Sequence, residues 1–108
     1  MREERIAKLL AFLEQNPSDN FLRYALAQEY IGMQKDDLAK DILETLLKES
    51  PDYIASYYHY GKLLQREGKN DEAENIFEKG ISIGTELKEH HAVKELKDAL
   101  NELLFDDY

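Results

Sequence analysis

The chain has 108 residues, 14 basic and 23 acidic side chains, a formal net charge of −9 and no cysteine. The length allows one small domain, and the missing thiols exclude disulfides, thiolate metal sites and a cysteine nucleophile while suiting a reducing cytoplasm. The acidic excess is even, with 7 basic and 11 acidic residues over 1–52 and 7 and 12 over 53–108, so no basic patch exists for nucleic acid or an anionic membrane.

Residues 2–15 form the first predicted helix. Leu9, Phe12 and Leu13 supply its apolar side, and the longest apolar run, Leu9-Leu10-Ala11-Phe12-Leu13, is far too short to span a bilayer. The start, Met1-Arg2-Glu3-Glu4-Arg5, lacks the pattern of a secretory signal. Pro17 closes this segment. The next stripe, Leu22, Leu26, Ala27 and Tyr30, has helical spacing, and Gly32 to Lys35 interrupt it. Leu38, Ala39, Ile42, Leu43, Leu46 and Leu47 form a further helical stripe that stops at Ser50-Pro51-Asp52, because proline disfavours helical geometry in the residue before it.

The pattern then repeats. Pro17 and Pro51 are 34 positions apart, and the same offset carries Leu26 to Tyr60, Ala27 to Gly61, Tyr30 to Leu64, Ala39 to Ala73, Leu43 to Phe77 and Leu47 to Ile81. Apolar seats stay apolar and small seats stay small, the signature of stacked helical hairpins. In the second unit Tyr57, Tyr60, Gly61 and Leu64 form the first stripe, Gly68 suits a helix end, and Ala73, Ile76, Phe77, Gly80 and Ile81 form the second stripe. Ala27, Gly61, Ala39 and Ala73 let paired helices approach closely. Residues 86–105 are helical again, with Leu96, Ala99, Leu100, Leu103 and Leu104 on one side behind Ala92 and Val93. The offset fails there, since Gly61 would map to Glu95, so this segment reads as a differently packed cap. Thr85 stands where a proline would be due, which puts the break before the cap between Gly84 and His91. The ending Phe105-Asp106-Asp107-Tyr108 reads as frayed.

Little in the sequence carries catalytic or metal chemistry. Ser18 and Ser50 read as caps or turn residues, no Gly-x-Ser-x-Gly elbow or phosphate-binding glycine loop is present, and Asp36-Asp37 and Asp106-Asp107 lack calcium-loop spacing. His90 and His91 are adjacent, so on a helix they would point about 100° apart rather than share a face; they read as a polar turn before the cap. The expectation is a non-catalytic protein with no metal and no cofactor.

The period and seats resemble the tetratricopeptide repeat family, in the form of a small bacterial-type member. The matches are Leu26-Ala27, Tyr30, Ala39, Leu43 and Pro51, then Tyr57, Tyr60-Gly61, Leu64, Gly68, Ala73 and Phe77. Arg23 replaces an aromatic residue, Gln34 a turn glycine and Thr85 the proline. The resemblance implies an all-α fold, an α–α superhelix of helix–turn–helix hairpins. Its parts would be a capping helix over 1–19, repeats over 20–53 and 54–87, and a C-terminal cap and tail over 88–108.

It also implies a concave groove, lined by the first helix of each repeat, that binds a peptide or helix of a protein partner. Candidate groove residues are Phe21, Tyr24, Gln28 and Ile31 on the first such helix and Tyr58, His59, Lys62 and Gln65 on the second. Tyr24 and Tyr58 are equivalent positions and offer rigid amphipathic contact area. The clamp that some family members use for acidic chain ends would need lysine and asparagine at Tyr24, Gln28 and His59, so that ligand is disfavoured. An acidic chain suits basic or apolar partners better. The alternative is a structural role through self-association into a homo-oligomer, by an end face or the C-terminal helix.

Overall fold

The computed structural model describes residues 1–105, which form six helices and no strand: α1 (Arg2–Gln15), α2 (Asn20–Gly32), α3 (Asp36–Glu49), α4 (Ala55–Arg66), α5 (Asn70–Glu86) and α6 (His90–Phe105). The fraying expected at Asp106, Asp107 and Tyr108 lies outside the described residues, whereas Phe105 is the last residue of α6. The helices fall into two units, Met1–Ser50 and the chain from Pro51 onward.

In the first unit α2 packs against both α1 and α3. Leu26, Ala27, Ala39, Leu43 and Leu46 are its buried apolar residues. The small seats Ala27 and Ala39 are fully buried, which fits close approach of α2 and α3. Leu38, by contrast, is 46% exposed despite its place in the expected stripe; it lies in the first turn of α3, where its neighbour Ala39 takes the buried side instead. No residue of α1 is fully buried. That helix is held in part by charge, with Arg2 and Arg5 both reaching Glu29 at 3.5 and 3.0 Å. The cap of α2 is Asp19, whose side chain accepts the Leu22 N–H at 2.9 Å, so Ser18 is only a turn residue. Ser50 ends α3, and its hydroxyl donates to Asn20 Oδ1 at 3.0 Å.

In the second unit α5 packs against α4 and α6, and α6 also touches α4. Ile54, Tyr57, Leu63, Leu64, Ala73, Phe77, Val93, Leu96 and Ala99 form the core. A Cβ added at Gly61 would overlap the Phe77 ring, and one at Gly80 would lie 2.7 Å from Tyr57 Cβ. Both glycines are therefore spaces that aromatic side chains occupy. At Thr85 the proline seat holds a residue that continues a helix, and its hydroxyl donates back to Ile81 O at 2.7 Å. In consequence α5 runs on to Glu86, and α6 begins at His90. His90 and His91 thus open α6 instead of preceding it.

Three connections share one geometry. Gln34, Gly68 and Lys88 all have left-handed φ values of 60°, 80° and 60°. The N–H of each donates three residues back, to Ile31, Gln65 and Thr85. The next N–H donates five residues back, from Lys35 to Tyr30, Lys69 to Leu64 and Glu89 to Gly84. These are Schellman ends, whose left-handed residue is best served by glycine. Only Gly68 takes that conformation without a Cβ penalty. Gln34→Gly and Lys88→Gly are each expected to stabilise the chain by about 1 kcal/mol, and Gly68→Ala to destabilise it similarly. Urea-unfolding midpoints followed by circular dichroism check all three.

Candidate protein-interaction surface

The expected groove residues divide between the units, and each set shares part of one helix surface. On α2, Phe21, Tyr24, Gln28 and Ile31 recur at helical spacing. Phe21 is 67% exposed. Tyr24 and Ile31 are half-buried, and Gln28 is exposed. Gln28 Nε2 donates to the Tyr24 hydroxyl at 3.1 Å. Two aromatic rings and an aliphatic side chain thus remain accessible, with an amide holding one phenol in place.

On α4 the set is more tightly built. The Tyr58 and His59 rings meet edge to face, with centroids 5.2 Å apart. Lys62 Nζ lies 5.9 Å from the Tyr58 ring centroid and 3.4 Å from Glu102 Oε2 on α6. Gln65 is half-buried, and its Oε1 has no hydrogen-bond partner. The arrangement offers an aromatic face and a cation already shared between a ring and a carboxylate. Among the described residues no three histidine, aspartate or glutamate side chains come together as a metal site, and no helix is long and apolar enough to cross a membrane.

Burial pushes the His59 imidazole below its ordinary pKa, and the charge of Glu95 partly opposes that shift. A depressed histidine favours the fold when neutral. Its contribution is present above about pH 6.5, the unfolded value, and is lost as pH falls toward the lower folded value. Unfolding midpoints between about pH 7.5 and 5.5 should therefore decline on acidification, and His59→Gln should flatten that decline.

Sequence reasoning missed a cavity of about 720 Å³ in the first unit, lined by residues of α1, α2, α3 and the loop at Pro17. None of the eight expected groove residues lines it. One signal did point there: Arg23, at an aromatic seat, is a lining residue. Its Nη1 reaches Glu49 Oε1 at 2.8 Å and its Nη2 donates to Asn20 Oδ1 at 3.0 Å, while its buried Nε has no acceptor.

The tetratricopeptide repeat profile matches residues 37–100, more than half of the chain. The chain belongs to the tetratricopeptide repeat family. A tetratricopeptide repeat domain protein from Salinibacter ruber is similar in both its solution and its crystal structure. The solution structure is 37% identical, with 81% of this chain and 88% of that one covered at a TM-score of 0.76. The crystal structure is 36% identical, with coverage of 81% and 98% and a TM-score of 0.77. A protein from Bordetella parapertussis is 28% identical over 94% of this chain and 89% of its own, with a TM-score of 0.80. No curated protein matches the sequence significantly. Tetratricopeptide repeats are in general protein–protein interaction modules and in general not catalysts.

Proposed function

We propose that this tetratricopeptide repeat protein binds a peptide or helix of a protein partner through the first helices of its repeats, α2 and α4. Tyr24 and Tyr58 would be the anchors, with Phe21, Gln28, Ile31, His59, Lys62 and Gln65 around them. The observation that carries the reading is the pairing of Tyr24 with Tyr58. The two occupy one seat at a 34-residue offset, and both are half-buried rather than committed to a core. Tyrosine in that state supplies contact area at a small entropic cost.

Affinity capture with the full chain, followed by mass spectrometry, would identify the partner. The double variant Tyr24→Ala/Tyr58→Ala is expected to weaken its binding by about thirtyfold, the cost of losing about 2 kcal/mol at a hot spot. Undiminished capture by a variant with intact helical content would refute the reading.

A second reading, self-association, is favoured by the apolar end of α6, where Leu104 and Phe105 are 42% and 59% exposed. Light scattering over a concentration series separates it from the first: a mass that doubles with concentration, and that Phe105→Ser abolishes, supports a homo-oligomer.

A further inference from the structure

The 720 Å³ cavity of the first unit has a make-up unlike the α2 and α4 surfaces. Leu10, Leu13, Pro17, Leu26 and Ile42 give it apolar walls, and Glu14, Asp41 and Thr45 stand beside them. Its volume falls in the range of ligand pockets, and the cavity is an open cleft at the surface. It opens to solvent on the α1 side, where Leu10 is 45% exposed.

The charges around the cavity say what fits. Thr45 spends its hydroxyl on Asp41 O, a backbone acceptor. Among the described residues the Asp41 and Glu14 carboxylates have no ion pair or side-chain hydrogen bond, and both residues are exposed. The one cation in the lining, Arg23, is already neutralised by Glu49. Two free carboxylates on α1 and α3 thus bracket an apolar surface, and the whole chain carries −9. An anionic ligand would meet like charge. A second copy of this chain would too, because its exposed apolar end at Leu104 and Phe105 continues into Asp106-Asp107.

We propose that this cavity is a binding site, separate from the α2 and α4 surfaces, for a cationic amphipathic segment of a protein partner. An aliphatic or aromatic side chain of the segment rests on Leu10, Leu13, Leu26 and Ile42. Lysine or arginine side chains on either side of it pair with Glu14 and Asp41. Complementary charge selects the partner, and the apolar walls supply the contact.

The test uses the full chain and two synthetic peptides. One is a helical peptide of leucine and lysine, blocked at both ends; the other has every lysine replaced by glutamate. Fluorescence anisotropy and methyl NMR follow the titration. The lysine peptide is expected to bind and to shift the methyl signals of Leu10, Leu13, Leu26 and Ile42, and the glutamate peptide to do neither. Glu14→Lys/Asp41→Lys should weaken binding at least about tenfold, two reversed surface charges each acting within the usual severalfold range. Glu78→Lys/Glu86→Lys changes the net charge equally in the other unit and should leave affinity within about twofold.

Equal loss in the two double variants would mean that only net charge matters and would overturn the proposal. So would binding of the glutamate peptide, shifts centred on α2 and α4 residues outside the cavity, or a concentration-dependent mass without peptide that shifts the same methyl groups. All four altered carboxylates are on exposed residues, and circular dichroism of each variant verifies the fold.

Discussion

Valine in place of Gly61 is expected to destabilise the second unit by about 3 kcal/mol, seen as a lower urea midpoint. Two effects oppose each other there. Glycine is a poor helix residue, so valine gains a few tenths of a kcal/mol in α4 from propensity. Against that, even a Cβ at position 61 overlaps the Phe77 ring, and valine adds two methyl groups beyond it. Phe77 is fully buried in α5, so its ring has no solvent to turn into. Overpacking of that kind costs about 1–3 kcal/mol, with the upper end applying where the neighbour cannot move. Shrinking the neighbour provides the control. Phe77→Leu alone should destabilise by about 1 kcal/mol, and the double variant should cost less than the two changes added, a coupling of about 1 kcal/mol. A loss under 1 kcal/mol for Gly61→Val would show that α4 and α5 are not held in contact through this seat.

The same seat shows why the fold was legible. A 34-residue offset keeps Ala27 and Gly61, and Ala39 and Ala73, small because each must admit a facing helix, and that constraint acts on residue size directly. Prolines mark helix ends for an equally local reason. The end of α5 was open only over Gly84–His91, because Thr85 removes the proline and a left-handed Lys88 does the work instead. Lysine carries no sequence mark of that conformation, whereas Gly68 does. The burial of Leu63 was likewise invisible, since it lies beside the expected stripe of α4.

The candidate surfaces were legible to different degrees. Tyr24 and Tyr58 could be paired by offset alone. The contact of Lys62 with Glu102, forty positions away, needs the placement of α6, which breaks the repeat register. The cavity of the first unit needs three helices and a loop at once, so no stretch of sequence carries it. What the sequence does carry is the anomaly at Arg23, and its explanation lies in two other positions of the same repeat, Asn20 and Glu49.

That explanation makes Tyr57→Arg the other large effect, an expected loss of about 3–5 kcal/mol. Tyr57 is the second-unit counterpart of Arg23. It is 1% exposed, and its hydroxyl donates to Pro51 O at 2.7 Å. Burial, helped by the nearby Asp52 charge, raises its pKa, so the phenol stays neutral. In the first unit the arginine at this seat is tolerable because Glu49 and Asn20 take its guanidinium. The 34-residue offset puts Ile83 and Ile54 at those two positions in the second unit, and Ile54 is itself 4% exposed. A guanidinium at 57 would therefore sit in the core without the carboxylate and amide that Glu49 and Asn20 supply in the first unit, with Asp52 as the charge near it. Small domains have only about 5–15 kcal/mol of stability, so this loss is a large share of it. Tyr57→Phe, which removes only the hydrogen bond, should cost about 1 kcal/mol. Adding Ile54→Asn and Ile83→Glu to Tyr57→Arg rebuilds the first unit's set of three and should recover part of the loss. Urea unfolding of the four chains decides the matter: if Tyr57→Arg costs no more than Tyr57→Phe, the seat does not require a matched partner set. The outcome bears on binding as well, because α4 displays Tyr58, His59 and Lys62 only while its opposite side is held by Tyr57 and Gly61.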